Sequence, residues 1–65
     1  MKYYLRNKFN AYLVKDRNGI EYWGKSWIKE PIPFDTIESA KSKVQELGGD
    51  FQIVNERFEV VWSNG

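Results

Sequence analysis

Residues 31–50 read PIPFDTIESAKSKVQELGGD and divide the chain into two groups of strands around one helix. The two prolines end the preceding strand, because proline donates no backbone hydrogen bond and restricts the residue before it. Apolar residues then recur at helical spacing and form one narrow stripe: Ile37, Ala40, Val44 and Leu47. The glycine pair at residues 48–49 supplies a left-handed helix end. These signals predict one helix over about residues 36–47.

The start of this helix has two candidate caps, Asp35 and Thr36. Both side chains can accept a hydrogen bond from the first free backbone N–H groups of a helix. Asp35 and Glu38 also have the spacing of a capping box, although the usual box begins with Ser or Thr.

Two strands are predicted before the helix, over residues 3–15 and 20–29. Apolar side chains of the first fall mainly on odd positions, while tyrosines and cations fall on even positions, which is the period of a half-buried strand. A turn near Asn7 or Asn10 would divide it, so both one long strand and two short ones fit. Between the strands, residues 16–19 (DRNG) predict a tight hairpin with a type I′ turn, because Asn-Gly tolerates positive φ at both central positions.

Two further strands are predicted after the helix, over residues 50–54 and 58–62, with a short turn at 55–57. We expect Phe58, Val60 and Trp62 to face the core. The fold class is therefore α+β, as one domain spanning residues 1–65. Its antiparallel sheet has four or five strands in ββαββ chain order, with the helix packed on one face.

The closing hairpin, residues 49–62 (GDFQIVNERFEVVW), resembles that of the β-grasp immunoglobulin-binding domains. The Phe34-Asp35-Thr36 entry into the helix supports the same resemblance, which implies a small ββαββ fold. Residues 1–47 also resemble the arm-type DNA-binding domains of tyrosine recombinases, whose helix opens with Phe-x-Thr. The short chain is similar in style to accessory proteins of phages and mobile elements. The resemblances imply an architecture and name no activity.

Composition argues against catalysis. The chain has no Cys and no His, which excludes disulfides and the usual zinc ligands. The remaining carboxylates are interpreted as solvated surface charge, and no phosphate-binding glycine loop is present. We therefore expect no enzyme activity, no catalytic residues, no cofactor and no metal. No stretch approaches the roughly 20 apolar residues of a membrane span, so we expect a soluble, cytoplasmic protein without membrane contact.

Charge is distributed unevenly along the chain. Residues 1–29 contain seven Lys/Arg and two acids, whereas residues 30–65 contain three Lys/Arg and seven acids. This pattern fits ordinary solubilising surface charge, and it also fits a basic, aromatic half that meets an anionic surface.

Eleven aromatic residues exceed what one helix can cover. The expected core comprises the helix stripe with Leu5, Phe9, Leu13, Ile20, Tyr22, Phe34, Phe51, Ile53, Phe58, Val60 and Trp62. The residues left for the open sheet face, which is expected to be an interaction site, are Tyr4, Tyr12, Val14, Trp23, Trp27, Val54 and Val61. An inverted second strand would instead bury its two tryptophans and expose Tyr22. The predicted partner-binding residues are Tyr4, Arg6, Tyr12, Trp23, Lys25, Trp27 and Lys29.

Two classes of binding function follow from this face. The first is a protein-binding module, an inhibitor or adaptor that presents its open sheet face. The alternative is a binder of single-stranded nucleic acid or arm-type DNA, with aromatic rings stacking on bases between cations. The isoelectric point near 8.0 is below the value of about 9 that is typical of dedicated nucleic-acid binders, so a protein partner ranks first. A structural or homodimer-forming role is the third possibility.

Overall fold

The computed structural model describes residues 1–25 and 29–64. Their elements follow the order β1 (Tyr4–Arg6), β2 (Tyr12–Lys15), β3 (Glu21–Gly24), α1 (Ile37–Leu47), β4 (Gln52–Val54) and β5 (Val60–Ser63). The strands form one five-stranded antiparallel sheet in the order β3-β2-β1-β4-β5, and α1 packs on one face. The α+β class is confirmed. Three strands precede the helix, so the predicted ββαββ order is wrong.

The three hairpins use the same five-residue turn. In each, the backbone N–H of the first residue donates to the carbonyl oxygen of the fifth, and the N–H of the fourth donates to the carbonyl of the first, all at 2.9–3.1 Å. The first residue is Asn or Asp, and its Oδ1 accepts the N–H groups of the third and fifth residues at 2.8–3.0 Å. The turns span residues 7–11, 16–20 and 55–59.

The fourth residue of each turn has a left-handed backbone, with φ of 60° at Asn10, 83° at Gly19 and 62° at Phe58. This is the three-residue hairpin loop in which a type I turn is followed by a left-handed residue. The predicted hairpin at residues 16–19 is confirmed, but its type I′ assignment is wrong, because Asn18 does not have a positive φ. The turn at residues 7–11 also settles the open alternative for residues 3–15, which form two strands.

The turn type decides which face of β3 is buried. A two-residue loop at Asn18-Gly19 would pair Trp23 with Val14, on the open face. The observed loop is one residue longer and pairs Trp23 with Leu13, which belongs to the helix-side core. A shift of one residue turns every side chain of a strand to the other face. The prediction that Trp23 lies on the open face is therefore wrong, and the inverted alternative holds for this residue.

A β-bulge has the same effect on β5. Val60 pairs with Val54, but Trp62 pairs with Ile53, so Val61 is an extra residue in the ladder. Trp62 therefore faces α1, while Val60 lies on the open face. The prediction that Val60 shares the core side with Trp62 is wrong.

The helix-side core contains residues from all five strands, from the segment before α1 and from α1 itself. Its fully buried members are Leu5, Leu13, Ala40, Val44 and Ile53, and its partly buried members are Tyr3, Trp23, Ile32, Phe34, Ile37, Phe51 and Trp62. Phe9 and Ile20, which were expected in the core, are 70% and 62% exposed. Both lie within turns, and a turn does not continue the alternation of a strand.

The boundaries of α1 follow the expected local chemistry. Thr36 is the N-cap, and its Oγ1 accepts the N–H of Ser39 at 3.1 Å. At the other end, Gly48 has a φ of 73° and donates its N–H to the carbonyl of Val44 at 2.9 Å. Among the described residues, no helix is long and apolar enough to cross a bilayer.

The proline-containing segment before α1 is hydrogen-bonded to two strands at once. Ile32 donates its N–H to the carbonyl of Leu13 at 2.9 Å, and Phe34 exchanges two backbone hydrogen bonds of 2.8 Å with Tyr3. The register between β1 and β2 contains one pair only, Arg6 with Tyr12. The segment therefore bridges the strands beyond that pair. Pro31 and Pro33 alternate with Ile32 and Phe34, which donate these hydrogen bonds. The absence of an N–H group on proline therefore costs no hydrogen bond here.

One ion pair connects the helix to the edge of the sheet. Lys43 Nζ lies 2.7 Å from Glu21 Oε1 on β3 and 3.7 Å from Glu46 Oε2. The hydrogen bond from Lys43 to Glu21 raises the pKa of the lysine above its ordinary value of 10.5.

Replacing Val44 with Asp should unfold the domain. Val44 is 3% exposed in the helix–sheet core, and an uncompensated charge buried there costs at least about 3 kcal/mol. The melting temperature should fall by more than about 12 °C, measured by circular dichroism. Gln45→Asp, on the exposed side of the same helix, is the control and should melt close to the parent. Equal melting of the two variants would show that the stripe is not core.

Replacing Lys43 with Met should lower stability by up to about 1 kcal/mol, the usual range for a partly exposed pair. A raised lysine pKa gives a contribution that is complete below the ordinary value of 10.5 and disappears as the pH rises past the raised pKa. The test is a double-mutant cycle with Glu21→Gln, measured by urea unfolding at neutral and strongly alkaline pH. A coupling energy that survives at alkaline pH would contradict the assignment.

Candidate partner-binding surface

The sheet face opposite α1 carries a second apolar cluster. Its buried members are Tyr4, Tyr12 and Val54, and the two tyrosines are only 8% exposed. A sheet face without a covering helix is normally open to water. Another part of the chain must therefore cover these residues.

Phe58, from the turn between β4 and β5, covers the two tyrosines. Its ring centroid lies 6.0 Å from that of Tyr4, with the planes 26° apart, and 5.4 Å from that of Tyr12, with the planes 68° apart. Aromatic pairs with such geometry contribute about 0.5–1.5 kcal/mol each beyond area burial. Phe58 itself remains 44% exposed. The sequence placed it in the helix-side core, and that prediction is wrong.

The backbone conformation of Phe58 is unfavourable for a residue with a large side chain. A φ of 62° is unfavourable for a residue with a bulky side chain, at roughly 1–2 kcal/mol. The equivalent positions of the other two turns hold Asn10 and Gly19, which tolerate this region. The aromatic ring at the third position is therefore maintained by its contacts with the two tyrosines and not by local preference.

Two further half-exposed side chains extend this surface. Tyr22 lies on β3 and pairs with Val14 of β2, and Val60 lies on β5 and pairs with Val54 of β4. Gly24 leaves room for the Tyr22 ring, because a Cβ atom at position 24 would lie only 3.3 Å from Tyr22 Cε2. We call the resulting surface the open-face patch; its members are Tyr4, Tyr12, Tyr22, Phe58 and Val60.

A positioned cation borders the open-face patch. Arg6 donates from Nε and Nη2 to Gln52 Oε1, at 2.8 and 2.6 Å, and it lies beside Tyr12 in register. The acceptor is a neutral amide, so the guanidinium keeps its charge while its orientation is restrained. The patch therefore has an apolar centre and a cationic border.

The predicted binding residues do not form one surface. Tyr4, Arg6 and Tyr12 lie together on the open face, whereas Trp23 faces α1. There its ring stacks on Phe51, with centroids 5.1 Å apart and planes 14° apart. The other predicted residues lie elsewhere: Lys25 follows β3, Lys29 lines a separate cleft, and Trp27 lies outside the described residues.

Trp23 and Phe51 border a groove on the helix side, with a volume of about 580 Å³. Phe9 and Lys8 form part of its wall, and the Lys8 Nζ lies 5.4 Å from the centre of the Phe9 ring. The aromatic surplus is thus divided between the two faces of the sheet.

Phe58 and Val60 were not predicted from the sequence as surface residues, and Tyr22 was expected at the surface only if the second strand was inverted. A usable signal was the repeated turn pattern: residues 7–10 (NKFN), 16–19 (DRNG) and 55–58 (NERF) each begin with Asn or Asp. The fourth residue of that pattern has a left-handed backbone conformation. A phenylalanine at this position therefore indicates that tertiary contacts hold its ring in place.

Within residues 1–25 and 29–64, no three His, Cys, Asp or Glu side chains come together to hold a metal ion. Comparisons with protein-family models, curated proteins and solved structures found no match to this chain.

The turn positions offer a matched pair of substitutions. Phe58→Gly removes two ring contacts and the burial of about half of the ring, but it relieves the left-handed strain, so the net loss should be only about 1–2 kcal/mol. Gly19→Phe adds the same strain without ring partners, since no atom lies within 4 Å of a Cβ at Gly19. It should cost about 1–2 kcal/mol. Urea unfolding of both variants tests this, and a Phe58→Gly variant more stable than the parent would show that the ring contacts do not offset the strain.

Proposed function

We propose that this chain is a non-enzymatic domain that binds a protein partner through the open-face patch. The observation that carries the proposal is Phe58, a half-exposed aromatic ring positioned on two buried tyrosines against its backbone preference. Strained residues of this kind cluster at binding sites, where the surrounding structure maintains them. The composition supports a non-catalytic role, because the chain lacks both His and Cys.

The accessible chemistry of the patch favours a protein over a nucleic acid. Base stacking needs an open ring face, but Tyr4 and Tyr12 are 8% exposed beneath Phe58. The parts that reach solvent are the apolar surfaces of Phe58 and Val60, which are 44% and 47% exposed. Aromatic side chains at an apolar centre, with an arginine at the border, have the composition of a protein–protein hot spot. An inhibitor or adaptor would use such a preformed surface directly.

The proposal predicts that changes in the patch weaken binding without unfolding the domain. A partner is first captured from host extract with and without nuclease, then purified and titrated calorimetrically. Phe58→Gly and Val60→Ser should each weaken affinity by at least about tenfold, which corresponds to ~1.4 kcal/mol.

Phe9→Ser is the control, because this exposed aromatic lies in a turn outside the patch. It should leave the affinity within about twofold of the parent. Equal losses in the control and the patch variants would contradict the proposal, and loss of every captured protein after nuclease treatment would favour the nucleic-acid alternative. Sedimentation of the parent alone identifies the case in which the partner is a second copy of the chain.

A further inference from the structure

A second concave surface lies where the proline-containing segment meets the ends of β1 and β2. Its volume is about 440 Å³. Three lysines reach it from separate parts of the chain, and one acid accompanies them. We call it the basic cleft; it is lined by Lys2, Lys15, Lys29, Glu30, Pro31, Ile32 and Pro33.

The lysines of the basic cleft are not neutralised by ion pairs. Lys15 stands opposite Glu21 in the sheet register, but that carboxylate is bound by Lys43 at 2.7 Å. Within residues 1–25 and 29–64, no carboxylate lies within ion-pair distance of Lys2, Lys15 or Lys29. With Glu30 as the one acid in the lining, the basic cleft has a net charge of about +2.

The floor of the basic cleft is held in place by the backbone. Pro31 is buried, and Ile32 donates its N–H to the carbonyl of Leu13 at 2.9 Å. Lys29 is half-buried, and its N–H bonds to the carbonyl of Lys25 at 3.2 Å. Rigid backbone beneath the lysines reduces the ordering cost of binding a ligand to their side chains.

We infer that the basic cleft binds a phosphoryl group. Ammonium groups act as point charges toward phosphate, and a phosphoryl group offers three oxygens to a cleft lined by three lysines. A carboxylate offers two oxygens and one charge, and so leaves part of the positive charge uncompensated. This inference is independent of the open-face patch, since it concerns a different set of residues.

Inorganic tripolyphosphate is the probe for the test, titrated calorimetrically at low ionic strength, where surface electrostatics are least screened. The double variant Lys15→Gln/Lys29→Gln should bind at least about tenfold more weakly than the parent. Lys8→Gln/Lys41→Gln is the matched control, because it removes the same charge from residues outside the basic cleft; its affinity should stay within about twofold. Glu30→Gln should strengthen binding by about threefold, because it removes the negative charge from the lining of the cleft.

Three results would overturn the inference. The first is no binding by the parent, the second is an equal loss in both double variants, and the third is binding of citrate as tight as that of tripolyphosphate. A short single-stranded oligonucleotide of matched charge forms the last arm of the experiment. Tighter binding of the oligonucleotide identifies backbone phosphate as the source of the phosphoryl group, and weaker binding identifies a free phosphorylated molecule. Backbone amide shifts of Lys29, Glu30 and Ile32 should move in either case.

Discussion

The arrangement of the sheet depends on one repeated interaction, a side-chain oxygen of Asn or Asp that accepts two backbone N–H groups within a turn. Asn7, Asp16 and Asn55 each close a five-residue turn in this way. Turn length sets the register of the strands that follow, and register decides which side chains face the helix. The position of Trp23 in the core therefore follows from the polar side chain of Asp16, at the start of its hairpin.

Phe58 is the place where local and tertiary preferences disagree. The turn requires a left-handed residue, which glycine or asparagine supplies at low cost, and the chain has phenylalanine instead. The ring contacts with Tyr4 and Tyr12 compensate for this, and they also bury two tyrosines that would otherwise lie open on a solvent-facing sheet. In natural domains, such local conflicts concentrate at functional surfaces. The same residue thus completes the fold and exposes an apolar surface to solvent, which is the surface that we propose for partner binding.

The ion pair between Lys43 and Glu21 lies close to Lys15, one of the lysines of the basic cleft. Lys43 on the helix binds Glu21, the acid that stands opposite Lys15 across the sheet. Within the described residues, Lys15 has no carboxylate at ion-pair distance, and it lies beside two other lysines. The uneven charge distribution of the sequence becomes a localised basic cleft in this way. The charge pattern alone did not indicate where the positive charge would collect, because the cleft draws its lysines from three separate parts of the chain.

The sequence alone determined the elements that depend on neighbouring residues: the α+β class, one helix ending at a glycine, and hairpins near residues 16–19 and 55–57. Caps, turns and apolar periodicity act over a few residues, so they can be read from a linear pattern. The faces of β3 and β5 were decided only by the tertiary structure, because one extra turn residue and one bulge each reverse the alternation. For the candidate site, Tyr4, Arg6 and Tyr12 were anticipated, whereas Phe58 was not. Its role depends on contacts with strands about 50 residues earlier in the chain, and no local signal specifies a contact across that separation.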